Sequence, residues 1–114
     1  MTFDALDEFK KDLKKLLKKY RSLNEDLDVV KKVLKVEPNE RPPFSFRIDG
    51  LGIETCVIKM KKIACKSLKG RGINSGLRII YAHFEIKQRI VFIELFHKNE
   101  KENEDRSRIL NNFK

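Results

Sequence analysis

The 114-residue chain has no tryptophan, only two cysteines and two histidines, and no long uncharged apolar run. The short apolar runs and the few cysteines and histidines each remove a class of function. Its apolar stretches are a few residues long, whereas a membrane span needs about 20 in a row. Asp4, Asp7 and Glu8 interrupt the start of the chain, so no apolar core with a cleavage site marks a secretory signal. Cys56 and Cys65 are too few for a disulfide framework. With only His83 and His97 beside them, and no CxxC or HxxxH spacing, no zinc site is indicated. The expectation is a soluble, cytoplasmic protein with no metal or small-molecule cofactor. Its chemistry would rest on common charged and polar side chains. The length suits one domain with a modest core.

Positive charge is plentiful, and unevenly placed. Lys and Arg number 26 against 17 Asp and Glu, a formal charge of +9. Residues 1–56 are nearly balanced at +1, residues 57–98 carry +8, and residues 99–114 are neutral. Between 57 and 79 stand Lys59, Lys61, Lys62, Lys66, Lys69, Arg71 and Arg78 with no acid among them. A lysine-rich helix face is usually just solvated. A central block stripped of acids repels itself unless an anion is its intended neighbour, which points to a nucleic-acid or phosphate-binding face.

Periodicity divides the chain into four parts. Over residues 1–36, Leu6, Phe9, Leu13, Leu16, Leu17 and Tyr20 recur at helical steps. Ser22 and Glu25 then read as a capping box for a second helix with Leu23, Leu27, Val30 and Leu34 as its stripe. This predicts a helical hairpin. Residues 37–56 hold Pro38, Pro42 and Pro43 and read as an extended connector. Residues 57–98 switch to a two-residue period: strands over 57–65, 77–84 and 90–96, a loop at 66–76, and a hairpin link at 85–89. Residues 99–114 read as a terminal helix that packs back through Ile109, Leu110 and Phe113. The pattern predicts an α+β fold, with helices on one face of a small antiparallel sheet.

Several residues carry candidate chemistry. Lys69-Gly70-Arg71-Gly72 lacks the spacing of a nucleotide P-loop and joins two strands, so it reads as a flexible hairpin loop or as a basic clamp for a nucleic-acid backbone. Arg78 interrupts an apolar strand. Its guanidinium can grip a phosphate through two parallel hydrogen bonds, or pair with Glu94 or Glu85. His97 ends the last strand beside Lys98, a setting for a surface residue or for an acid that protonates a departing oxygen. Tyr81 suits the core or a base-stacking surface.

Read together, Lys61-Lys62-Ile63-Ala64-Cys65-Lys66, Lys69-Gly70-Arg71-Gly72, Ser75-Gly76-Leu77-Arg78-Ile79-Ile80-Tyr81 and Phe96-His97-Lys98-Asn99-Glu100-Lys101 resemble the RelE/ParE toxin superfamily of type II toxin–antitoxin systems, its RelE/HigB-like branch most closely. The match covers residues 57–110, and it is the order and spacing of the motifs that is specific. The resemblance implies a helical hairpin on a compact sheet and a ribosome-dependent mRNA endoribonuclease that uses no metal. In such a reaction the ribose 2′-hydroxyl attacks the adjacent phosphate, leaving a 2′,3′-cyclic phosphate and a 5′-hydroxyl. It implies that Arg78 stabilises the phosphate, that Lys61, His97 and Lys98 complete the catalytic set, and that Lys59, Lys62, Lys66, Lys69, Arg71 and Tyr81 face RNA. It also implies three partners: a cognate antitoxin protein, mRNA and the ribosome. Two departures stand out. Asn99 and Asp105 fall where known members carry arginine or tyrosine, and a first strand before the hairpin is absent or confined to residues 1–4. Two other functions fit the same residues, a ParE-like inhibitor of DNA gyrase and a non-catalytic RNA- or ribosome-binding protein.

Overall fold

A computed structural model describes all 114 residues. In chain order the elements are β1 (Thr2–Ala5), α1 (Asp7–Leu17), α2 (Leu23–Val36), β2 (Ser45–Arg47), β3 (Cys56–Met60), β4 (Leu77–Phe84), β5 (Arg89–His97) and α3 (Arg106–Phe113). The five strands form one sheet in the order β1-β5-β4-β3-β2. No helix is long and apolar enough to cross a membrane.

The sheet is mixed, not antiparallel throughout. β1 runs parallel to β5, pairing Phe3 with Ile90 and Ala5 with Phe92, while the other neighbours are antiparallel. The first strand is therefore present, and it is short. Local pattern could not announce it, because four residues gain strand character only from the partner they meet about 87 positions later. A second unexpected strand, β2, lies inside the connector, where Phe46 pairs with Lys59. It sits at the sheet edge, where a short strand next to prolines is readily accommodated.

Helices cover both faces of the sheet, not one. Successive strand residues point to opposite faces. Leu77, Ile79 and Tyr81 of β4 meet Phe9, Leu16 and Leu34 of α1 and α2. Ile80 and Ala82 point the other way and pack with Val57, Ile93 and Ile109 beneath α3. Burial on both faces explains why β4 and β5 read as nearly unbroken apolar runs. A register irregularity between Ile80 and Tyr81 places Glu94 opposite Ile80 and Phe92 opposite Tyr81.

Three boundaries move for identifiable reasons. β3 ends at Met60 instead of running to 65, because the carbonyl of Phe44 accepts from the amides of both Lys61 (2.9 Å) and Lys62 (3.2 Å) and turns the chain. The terminal helix begins at Arg106, not 99, where the Asp105 carboxylate accepts from the Arg108 amide at 3.0 Å. Ser22 precedes α2 but makes no capping box. Its backbone is already helical, and its hydroxyl donates to Asp26 Oδ2 at 2.7 Å instead.

The segment between β5 and α3 is a strap across the sheet. Glu94, only 2% exposed, accepts from Lys101 Nζ and, at 2.8 Å, from the Asp105 amide. Arg108 in α3 reaches back to Asp12 of α1 at 2.7 Å and to the Ile93 carbonyl at 3.0 Å. Burial alone would pull the Arg108 pKa down, but the Asp12 carboxylate holds it above its ordinary value. These contacts fix the strap that borders the basic end of the sheet.

Candidate phosphate-binding site

Where β4 begins, β5 ends and the chain leaves β3, a cleft of about 100 Å³ is lined by Lys61, Lys62, Asn74, Gly76, Arg78 and Lys98. Four of the six are cations and none is an acid. Arg78, the second residue of β4, points to the same face as Ile80. Its Nη1 donates to the carbonyls of Lys61 (3.1 Å) and Leu77 (3.2 Å). It has no carboxylate partner, and neither do Lys61, Lys62 or Lys98. The two acids that could have neutralised Arg78 do not: Glu94 is held by the strap, and Glu85 lies in the turn beyond the far end of β4. Burial draws the Arg78 pKa down from its usual value. A guanidinium held by backbone carbonyls, with its remaining donors unclaimed by any carboxylate, is arranged to receive an anion.

The lysines differ in what holds them. Lys62 Nζ donates to Asn74 Oδ1 at 2.8 Å, and Lys61 Nζ lies 5.1 Å from the centre of the Phe46 ring. Lys59 is beside the cleft on β3, where its Nζ donates to the Glu102 carbonyl at 3.3 Å and lies over Phe96. Burial lowers its pKa, opposed by Glu104 and reinforced by the charges of Lys61 and Arg78.

The remaining expected residues fall elsewhere. Lys66 pairs with Glu25 of α2 at 3.0 Å, which raises its pKa, and it does not line the cleft. Lys69 and Arg71 are exposed on the loop before β4 and do not line it either. Tyr81 is wholly buried and donates its hydroxyl to the Pro38 carbonyl at 2.9 Å, so it belongs to the core and presents no ring to RNA. Burial pushes its phenol well above the ordinary range. His97 is 5% exposed: Nε2 is 3.0 Å from the Ser75 carbonyl, and Nδ1 accepts from the Asn99 amide at 3.1 Å.

Asn74, Ser75 and Gly76 are the site residues that pattern reading did not single out for a role. Buried Ser75 donates its hydroxyl to the Ile63 carbonyl and accepts from the Leu77 amide, pinning the entry to β4. Gly76 has φ +88°, and a Cβ there would fall 2.7 Å from His97 Nε2 and 3.3 Å from Lys98 Cγ. A glycine opening a basic strand is the available sequence signal for such close approach. Gly76→Ala should therefore cost about 1–3 kcal/mol through its left-handed backbone alone, with the clash added. A lowered thermal midpoint checks this, and a melting curve matching the parent protein would contradict the geometry.

No protein-family model matches the sequence, and no curated protein sequence matches it. A chain of the archaeal RelE–RelB complex from Pyrococcus horikoshii OT3, a crystal structure, superposes on it with a TM-score of 0.55 at 19% identity, over 88% of this chain and 97% of that one. The chain has a RelE-like fold. At such low identity the likeness speaks for the fold alone, and it covers nearly the whole of both chains. On this RelE-like fold the cleft gathers residues from the exit of β3, the entry of β4 and the exit of β5. Sheet pairing alone brings them together, since Leu77 lies opposite His97 and Met60 opposite Ile79.

Proposed function

We propose that this chain is the toxin of a type II toxin–antitoxin pair, acting in the cytoplasm as a ribosome-dependent mRNA endoribonuclease and neutralised by a cognate antitoxin protein. The observation that carries the reading is Arg78 without a carboxylate partner, in an acid-free cleft with Lys61, Lys62 and Lys98. The RelE-like neighbour was crystallised as a complex of RelE with RelB, which supports a protein partner here.

The chemistry follows from the groups present. Attack by the ribose 2′-oxygen forms an O2′–P bond and breaks the P–O5′ bond, and negative charge grows on the non-bridging oxygens. Arg78 receives that charge on its forked donors, and Lys61 and Lys62 add to the field. Lys59 beside the cleft and the lysines that line it are the groups that take the proton of the 2′-hydroxyl. Lys98, an ammonium at the mouth of the cleft, returns a proton to the departing 5′-oxygen. The ribosome supplies the alignment of the attacking oxygen with the phosphate. Lys69 and Arg71 contact the RNA backbone outside the cleft.

Primer extension on mRNA in a translating extract tests this directly. The expected result is new breaks within the translated frame, present only when both the purified protein and ribosomes are included. Intact mRNA with a folded protein would remove the nuclease reading. A second reading is favoured by one observation, that both nitrogens of His97 are occupied and no free imidazole enters the cleft. It is RNA binding without cleavage, and its signature is affinity that falls steeply with salt while no product accumulates. DNA damage in arrested cells with intact mRNA would select gyrase instead.

A further inference from the structure

His97 is bound on every side. Its Nε2 faces the Ser75 carbonyl, an acceptor that takes only a donor, and its Nδ1 receives the Asn99 amide. Those two partners fix the neutral tautomer with hydrogen on Nε2, an assignment made from the bonding. The ring stacks on Tyr20 at 5.8 Å between centroids with a 14° tilt, and Gly76 closes its edge. Nothing of the imidazole is left to meet a substrate. Its two bonds bracket Lys98: one reaches the residue before Gly76, the other the residue after Lys98. Between them the Lys98 amide donates to the Gly76 carbonyl at 2.9 Å. Lys98 itself is exposed and lines the cleft with Arg78.

We infer that His97 is a positioning residue: a neutral imidazole strut between Ser75 and Asn99 that holds Lys98 across the cleft from Arg78 and exchanges no proton with the substrate. The inference rests on the nuclease reading for its kinetic consequence, and on geometry alone for its structural one. A histidine acting as acid must cycle between two protonation states. Protonating Nδ1 here would turn a donor against the Asn99 N–H, and deprotonating Nε2 would set a lone pair against the Ser75 carbonyl. Either change breaks the strut that places Lys98.

The test uses three substitutions in the full chain. His97→Asn keeps an acceptor near the Nδ1 position, His97→Gln keeps a donor near the Nε2 position, and His97→Ala keeps neither. Carboxamides do not titrate, so an acid role tolerates none of the three. The expected result is that at least one carboxamide variant cleaves within about 10-fold of the parent protein with an unchanged pH profile, while His97→Ala, still folded, falls about 100-fold, within the range that general-acid groups and misplaced catalytic groups both span. If both carboxamide variants fold, fall as far as the alanine variant and lose one limb of the pH profile, His97 is an acid and the inference is overturned. Full activity of His97→Ala overturns it equally. The second arm needs no cleavage: binding of an RNA tetranucleotide with a 2′-deoxy residue at its centre, followed through the backbone amide signals of Lys98 and Asn99. Weaker binding and faster amide exchange at Asn99 in His97→Ala support the strut, and unchanged values refute it. Should the parent protein cut no mRNA, the nuclease reading falls and this arm alone decides the inference.

Discussion

An Arg78→Ala protein should cut translated mRNA at least about 100-fold more slowly than the parent, on the scale of removing one preorganised donor from a developing oxyanion. It should no longer arrest growth, although it folds and still binds its antitoxin. Arg78 does little else in the fold. Its only partners are the carbonyls of Lys61 and Leu77 at the half-exposed mouth of the cleft, where water replaces the lost donor. The cost to stability is on the order of 1 kcal/mol. Arg78→Lys should fall between the two, since it keeps the charge and loses the fork. Single-turnover cleavage by primer extension, alongside a urea melt, separates the two effects. Undiminished cleavage by folded Arg78→Ala would place the chemistry elsewhere.

A marked loss of stability should come from Glu94, a residue with no place in the cleft. Glu94→Ala leaves Lys101 without its carboxylate and the Asp105 amide without an acceptor, while the strap and the first turn of α3 lose their anchor. Losing a hydrogen bond to a buried carboxylate costs about 1.5–3 kcal/mol, and Lys101, which is exposed, adds less because water replaces its partner. The sum is a sizeable part of the roughly 5–15 kcal/mol that holds a domain together. Glu94→Gln should cost less, because its carbonyl can still accept from Asp105. The denaturation midpoint reads this directly. A midpoint within error of the parent protein would mean that the strap is held by other contacts.

Arg78 and Glu94 also show where sequence reading succeeds and where it stops. An arginine inside an apolar strand, in a segment without acids, marks a candidate anion site, and pairing across β3, β4 and β5 places it there. Whether Glu94 neutralises it is not legible in the sequence, because the answer lies in the strap of residues 98–105, whose path follows no periodicity. The setting of His97 is hidden from the sequence for the same reason. Beside Lys98 and Asn99 it looks like a surface residue, yet Tyr20, Ser75 and Gly76, all distant in sequence, enclose it. Tyr81 is the reverse case. The alternation that puts Leu77 and Ile79 under the helices puts Tyr81 there too, and only the Pro38 carbonyl explains how its hydroxyl tolerates burial. The α1 stripe and the β4–β5 hairpin were readable because their contacts are local or strictly periodic. β1 and β2 were not, because each becomes a strand only beside its partner.

The four uncompensated cations of the cleft have a consequence for the protein at rest. Like charges gathered without counter-ions raise the free energy of the folded chain and leave the unfolded chain, where they disperse, less affected. Any polyanion that fills the cleft therefore shares its binding energy with folding, adding about 2.7 kcal/mol when present at a hundred times its dissociation constant. Occupied, the molecule is harder to open and to degrade. Vacant, it is at its least durable, so its lifetime is tied to the company it keeps.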